Sequence, residues 1–178
     1  GAGADANSGI MASGWDGPSI STASEVFNGT SWTATNPTAS PGQSPDNMCA
    51  GVKTSAVMWG GDVIPRGAGI TQTWNDVCWT TSPAAMVNIT GGQTALQSGS
   101  GAGASNTSAI ATGGESKPVS TANYNTMLWD GTSWTASSAT ITPTANTSMG
   151  STGTKTAAII TGGRSPTPGS QNQCQTFT

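Results

Sequence analysis

Residues 25 to 33 read EVFNGTSWT, residues 127 to 135 read MLWDGTSWT, and WNDVCWT at 74 to 80 is a looser copy between them. A second shared segment precedes each: GAGADANSGIMASG (1 to 14), MCAGVKTSAVMWGG (48 to 61), GAGASNTSAIATGG (101 to 114) and GSTGTKTAAIITGG (150 to 163). Each runs from small residues through a polar turn into a short apolar stretch and then glycine. The closing glycines Gly14, Gly61, Gly114 and Gly163 are 47, 53 and 49 residues apart. A period of roughly fifty marks an array of supersecondary units that bury their faces against one another. It removes the reading that a Gly/Ser/Thr-rich chain first invites, a flexible linker or a mucin-like stalk.

Within one period the residues spell two hairpins. Asn28-Gly29 and Asp130-Gly131 supply the positive φ angles of a type I′ turn, whose twist matches its flanking strands; the second copy has Asp76 in place of the glycine. An aromatic before the turn and a Trp after it (Trp32, Trp79, Trp134) anchor the hairpin by packing across it. Phe27, Trp74, Trp129 and Phe177 share one repeat position and are expected in the core. The upstream half turns at Asn7-Ser8, Lys53-Thr54, Asn106-Thr107 and Lys155-Thr156. Two hairpins make a four-stranded antiparallel sheet, and small residues in its first strands suit a crowded axis where neighbouring sheets converge. One such sheet cannot bury both faces alone, so successive copies stack.

Radial stacking of four-stranded sheets is a β-propeller. The expected fold is therefore all-β, one propeller over residues 1–178 with four visible blades near 1–38, 47–83, 96–138 and 146–178, the last incomplete. The pairs Gly60-Gly61, Gly113-Gly114 and Gly162-Gly163, each followed by an aromatic and then a Trp, resemble kelch-type repeats; Ser13-Gly14-Trp15 stands where the first pair should be. The run KTSAVMWGG, a loop, then LWDGTSWT is similar to the kelch-like, Gly/Thr-rich propellers encoded by bacteriophages, especially those of marine bacteria. This resemblance covers nearly the whole chain. Because kelch-type rings usually have more than four blades, the chain reads as an ordered part of a longer propeller. The outer strand missing after Phe177 is expected from further sequence or from a neighbouring chain, since an unpaired edge invites pairing.

Charged residues make up only 7% of the 178, five Lys and Arg against eight Asp and Glu, with no run of either sign. No basic stripe offers a nucleic-acid footprint, and no stretch is long and apolar enough for a membrane helix. Histidine is absent, which removes the commonest general base and transition-metal ligand. The copper site of galactose-oxidase relatives, implied by kelch resemblance, needs two His and two Tyr, whereas this chain has only Tyr124. A sialidase arginine triad cannot be built around Arg66 and Arg164 alone. Asp76 and Asp130 are explained by turns, Asp62 and Glu115 begin loops, and no acidic cluster suggests calcium. Cys49, Cys78 and Cys174 have no metal-ligand spacing and read as small strand residues. The Asn-x-Ser/Thr sequons at Asn28, Asn88, Asn106 and Asn146 follow from composition.

No catalytic residue, metal or cofactor is therefore expected. The residues that break the repeat are Trp15 and Trp59, aromatic where the other copies have small or polar residues, and these are the candidate contacts with a ligand or partner chain. The loops at 83 to 100 and 115 to 124 also differ between copies. The expected role is a non-catalytic structural or binding module on an extracellular surface, foremost a bacteriophage virion protein in tail, fibre or capsid decoration. Its expected partners are other virion or surface chains, copies of itself, or a cell-surface glycan. A secreted carbohydrate-binding protein or a polysaccharide-active hydrolase is the alternative.

Overall fold

The computed structural model of the protein describes residues 1–39, 46–61, 69–86, 95–117, 121–122, 125–141, 147–164 and 172–178. Asp62, Arg66, Asn88, Tyr124 and Asn146 lie outside them. No helix occurs among the described residues, so none is long and apolar enough to cross a membrane. The first blade is β1 (Ala2–Asp5), β2 (Ser8–Trp15), β3 (Ile20–Phe27) and β4 (Trp32–Thr35). The second is β5 (Asn47–Val52), β6 (Ser55–Gly60), β7 (Thr71–Trp74) and β8 (Trp79–Ser82). Next comes β9 (Ala95–Gln97), which belongs to no blade. The third blade begins with β10 (Ser100–Ser105) and β11 (Ser108–Thr112), is interrupted by β12 (Glu115–Lys117) and β13 (Thr121–Ala122), and finishes with β14 (Asn125–Trp129) and β15 (Trp134–Thr140). The fourth comprises β16 (Gly150–Thr154), β17 (Ala157–Thr161) and β18 (Cys174–Phe177).

Every blade is antiparallel and joined in sequence order, four strands in the first three and three in the last, and the four sheets stand in a ring as a β-propeller. The inner strands β1, β5, β10 and β16 pack in succession. Glycine, alanine and serine there let backbones converge, which is why the sequence places its smallest residues at each repeat's start. Trp32, Trp79 and Trp134 open the outer strands. An accessory sheet, ordered β13-β12-β9, joins the two unequal loops and was not visible in the repeat.

The local turns depart from expectation in two ways. The outer hairpins pair Phe27 with Trp32, Trp74 with Trp79 and Trp129 with Trp134, so the loop between has four residues rather than two. Only its second residue is left-handed, Gly29 at φ 93°, Asp76 at 74° and Gly131 at 98°. The loop's first residue acts instead through its side chain. Asn28 Oδ1 accepts from the Thr30 and Ser31 amides at 3.0 Å, and Asp130 Oδ1 accepts from the Thr132 and Ser133 amides at 2.8 Å. This is an Asx-type closure that either Asn or Asp can supply. The inner hairpin of the first blade turns at Ala6-Asn7, with Asp5 paired to Ser8, one residue earlier than read from the sequence.

The glycine pairs have a backbone reason. Gly60 and Gly61, Gly113 and Gly114, and Gly162 and Gly163 all have φ between 64° and 109°, closed to most side chains. They follow or end the second strand, and the first of each pair donates its amide to the carbonyl of Ile70, Asn125 or Gln173 at the start of the third strand or just ahead of it.

The core lies between blades. Ile10, Ala56, Met58, Trp74 and Trp79 fill the junction of blades 1 and 2. Met48, Val57, Trp59, Ala109, Met127 and Trp129 are among those filling that of blades 2 and 3, and Ala102, Ile110 and Ala158 pack between blades 3 and 4. Tryptophans link these junctions by hydrogen bonds, Trp79 Nε1–H to Ser24 Oγ at 3.1 Å and Trp134 Nε1–H to Thr71 Oγ1 at 2.9 Å. Both acceptors stand three residues before the aromatic that ends the third strand, so one repeat position serves the next blade's tryptophan.

Candidate binding face

Antiparallel order sorts the connections onto two rims. The inner turns and four-residue outer loops fall on one rim, and the strand ends that open and close the second-to-third-strand and blade-to-blade connections fall on the other. The first rim is short and repetitive. At the second lie the described ends of the unequal connections, Gly61 and Gly69–Ile70, Pro83–Met86 and Ser98–Gly99, and Gly113–Gly114, with the strands of the accessory sheet.

Trp15 sits on the second rim. In blade 1 the second and third strands are eight residues each and pair out to Trp15 with Ile20. The Asp16 amide donates to the Ser19 carbonyl at 3.1 Å, and the Ser19 amide returns a bond to Asp16 Oδ1 at 2.9 Å. Trp15 is therefore held on a closed hairpin tip, and it is 57% exposed. Trp59 is placed differently. It is 0% exposed, with its ring edge-on to Trp134 at 5.2 Å between centroids and lying against Gly101, whose missing Cβ leaves the room. The role Trp59 performs here is packing, and the structure does not bring it together with Trp15.

A cavity of about 150 Å³ runs on the ring axis, lined by Gly1–Gly3, Cys49–Gly51, Gly101–Gly103 and Ser151–Gly153, one stretch from each inner strand. A second hollow of about 210 Å³, with Asn47, Met48, Ser100, Met149 and Ser151 in its wall, opens at the strand ends of the long-connection rim. Among the described residues no Asp, Glu, Lys or Arg side chain lines either one. Burial pushes the Cys49 thiol above its ordinary value, so it stays a neutral thiol rather than a nucleophilic thiolate. The axis offers backbone amides, carbonyls and hydroxyls and can hold water or a small neutral polar group.

Four of the described acids have local roles in turns and loops. Asp5 Oδ1 accepts from the Asn7 amide at 2.8 Å, Asp16 and Asp130 close turns, and Asp76 occupies the left-handed loop position. Among the described residues no three His, Cys, Asp or Glu side chains gather as metal ligands. The three cysteines are free; Cys78 is in a hairpin loop rather than a strand, and Cys174 is in a strand but exposed. Sequence reasoning missed the hairpin tip around Trp15, although Asp16 and Ser19 flanking a Gly-Pro pair are a turn signal that could have shown it. Neither the known family models nor the curated proteins give a match to this chain.

Proposed function

We propose that this propeller is a non-catalytic structural or binding module displayed on an extracellular surface, and that it binds through its long-connection rim. The observation that carries the reading is the division of the two rims. One is built of short turns repeated from blade to blade, while the other gathers the ends of the unequal connections, the axial opening and the exposed Trp15. Loops that vary over a regular scaffold are where binding proteins differ from one another. An exposed aromatic on a hairpin tip closed by Asp16 and Ser19 can stack on a sugar ring or pack against the surface of another protein. The resemblance of the repeat to Gly/Thr-rich phage propellers attaches this reading to a virion, with attachment to the host surface or assembly with other virion chains as the role.

The test is binding of the purified chain to whole host-type cells and to immobilised neutral glycans, with released reducing ends measured in the same wells. Binding that falls at least about tenfold in Trp15→Ala, with an unchanged melting temperature and no new reducing ends, supports the reading. Release of reducing ends would replace it with a hydrolase. Binding equal in wild type and Trp15→Ala would move the contact off this rim.

A further inference from the structure

The repeat makes each blade two-faced in a regular way. The tenth residue of the repeat packs against the following blade: Ile10 in the blade 1–2 core, Val57 in the blade 2–3 core and Ile110 in the blade 3–4 core. The eleventh packs against the preceding blade, Met58 toward blade 1 and Ala111 toward blade 2, and both are at most 1% exposed. The outer-strand tryptophan follows the eleventh, since Trp79 and Trp134 both reach back to a hydroxyl of the preceding blade.

Two faces are left over. On blade 4 the tenth residue is Ile159, 44% exposed, and its neighbours on that face, Ala157, Thr161, Cys174 and Thr176, are exposed as well, while Ala158 and Ile160 on the opposite face are buried. On blade 1 the eleventh residue is Met11, 55% exposed, on the same face as Trp32, 45% exposed and without a hydrogen bond from its Nε1 among the described residues. Inner strands β16 and β1 are in far sparser contact than any successive pair. The forward face of blade 4 and the backward face of blade 1 are thus the two halves of the same kind of junction that is filled three times within the chain.

We propose that a second copy of this chain fills it: the forward face of blade 4 in one molecule seats on the backward face of blade 1 in the next, head to tail. Ile159 would take the role that Ile10 and Val57 have inside the chain, Met11 that of Met58, and Trp32 would lie against the position of Cys174, three residues before Phe177 as Ser24 is before Phe27. Among the described residues named on the two faces the one formal charge is on Glu25, which pairs across the strand with Met11. Such a contact joins different patches, so it propagates into a closed ring of molecules or a filament rather than stopping at a two-fold dimer. This goes beyond the binding reading above and does not depend on it, because it uses the blade sides and not the rim.

The test is sedimentation of wild type, Met11→Lys and Ile159→Lys, each alone and the two variants mixed. Both substitutions are at exposed positions, and melting curves check that the fold is kept. Wild type is expected to grow in mass with concentration, each variant to stay monomeric, and the mixture to double its mass, because each variant keeps the half that the other has lost. A wild type that stays monomeric throughout would overturn the proposal. So would variants that remain blocked when mixed, which would mean that like faces meet like.

Discussion

Blades 2 and 3 and blades 1 and 4 are written in the same repeat, yet they are packed very differently. In the middle pair the second strands β6 and β11 are buried along almost their whole length; in the outer pair β2 is mixed and β17 alternates exposed and buried. The aromatic closing the third strand follows suit. Trp74 and Trp129 are at most 1% exposed and donate Nε1–H to the carbonyls of Lys53 and Asn106 at 2.9 and 2.8 Å, whereas Phe27 and Phe177 have no such donor and are half-buried. The repeat encodes the sheet; a blade's stability comes from having a neighbour on each face. This is the behaviour of a quasi-one-dimensional array, in which interfaces supply what single units cannot.

The sharpest way to break that comparison is to truncate one repeat position in two blades. Trp129→Ala removes a fully enclosed ring and its hydrogen bond and is expected to cost about 3–5 kcal/mol, while Phe177→Ala, half-buried, should cost about 1–2 kcal/mol by denaturant unfolding. Equal losses would mean that the outer blades are as tightly held as the middle ones. Next comes the first residue of the repeat. Adding a methyl group in Gly101→Ala drives it into the Trp59 ring, an overpacking expected at about 1–3 kcal/mol, but in Gly150→Ala it meets only the Thr161 hydroxyl at 3.2 Å and should cost less than ~0.5 kcal/mol.

The four-residue loops sharpen the comparison from the other side, because their conformation is local. Gly29→Val and Gly131→Val place a β-branched residue at φ 93° and 98° and should each lose about 1–3 kcal/mol, equally in an outer and a middle blade. Ser133→Val, which removes only a 3.1 Å bond to Asp130 Oδ2, should lose less than ~0.5 kcal/mol. The smallest effect is one of pH. The amides and hydroxyls of Thr132 and Ser133 hold the Asp130 carboxylate well below the usual range. A depressed folded value means that this contribution is complete above the unfolded value of about 3.9 and fades as pH falls below it. Asn28 and Asn75 fill the same position uncharged. Asp130→Asn should therefore narrow slightly the gap in melting temperature between about pH 7 and about pH 3.

Much of this was legible in the sequence because it is set within one repeat. The spacing of EVFNGTSWT and MLWDGTSWT, the shared aromatic position and the glycine pairs place the blades, their strand order and their axis. What was not legible depends on residues far apart in the chain. Trp59 stands out as an aromatic where the other repeats have small or polar residues, and Gly101 in the next blade, by leaving space, makes it a core residue. The four-residue loop escaped because Asn-Gly and Asp-Gly also fit a two-residue turn; the pairing of Trp129 with Trp134 decides between them. The accessory sheet joins two loops that share no pattern. That Met11 and Ile159 are exposed while Val57 and Met58 are buried cannot be read from residue type at all, since their repeat positions are the same.

The most direct test of the account is indole N–H hydrogen exchange, read by NMR tryptophan by tryptophan in the Met11→Lys variant so that no second copy covers the outer face. Four indoles, those of Trp74, Trp79, Trp129 and Trp134, donate across or within junctions and should exchange slowly, with the enclosed Trp59 alongside them. Trp32, which has the same repeat position as Trp79 and Trp134 but is 45% exposed, should exchange as fast as Trp15. Protection of Trp32 equal to that of Trp79 would show that blade 1 already has a neighbour within the monomer, and the distinction between middle and outer blades would fall.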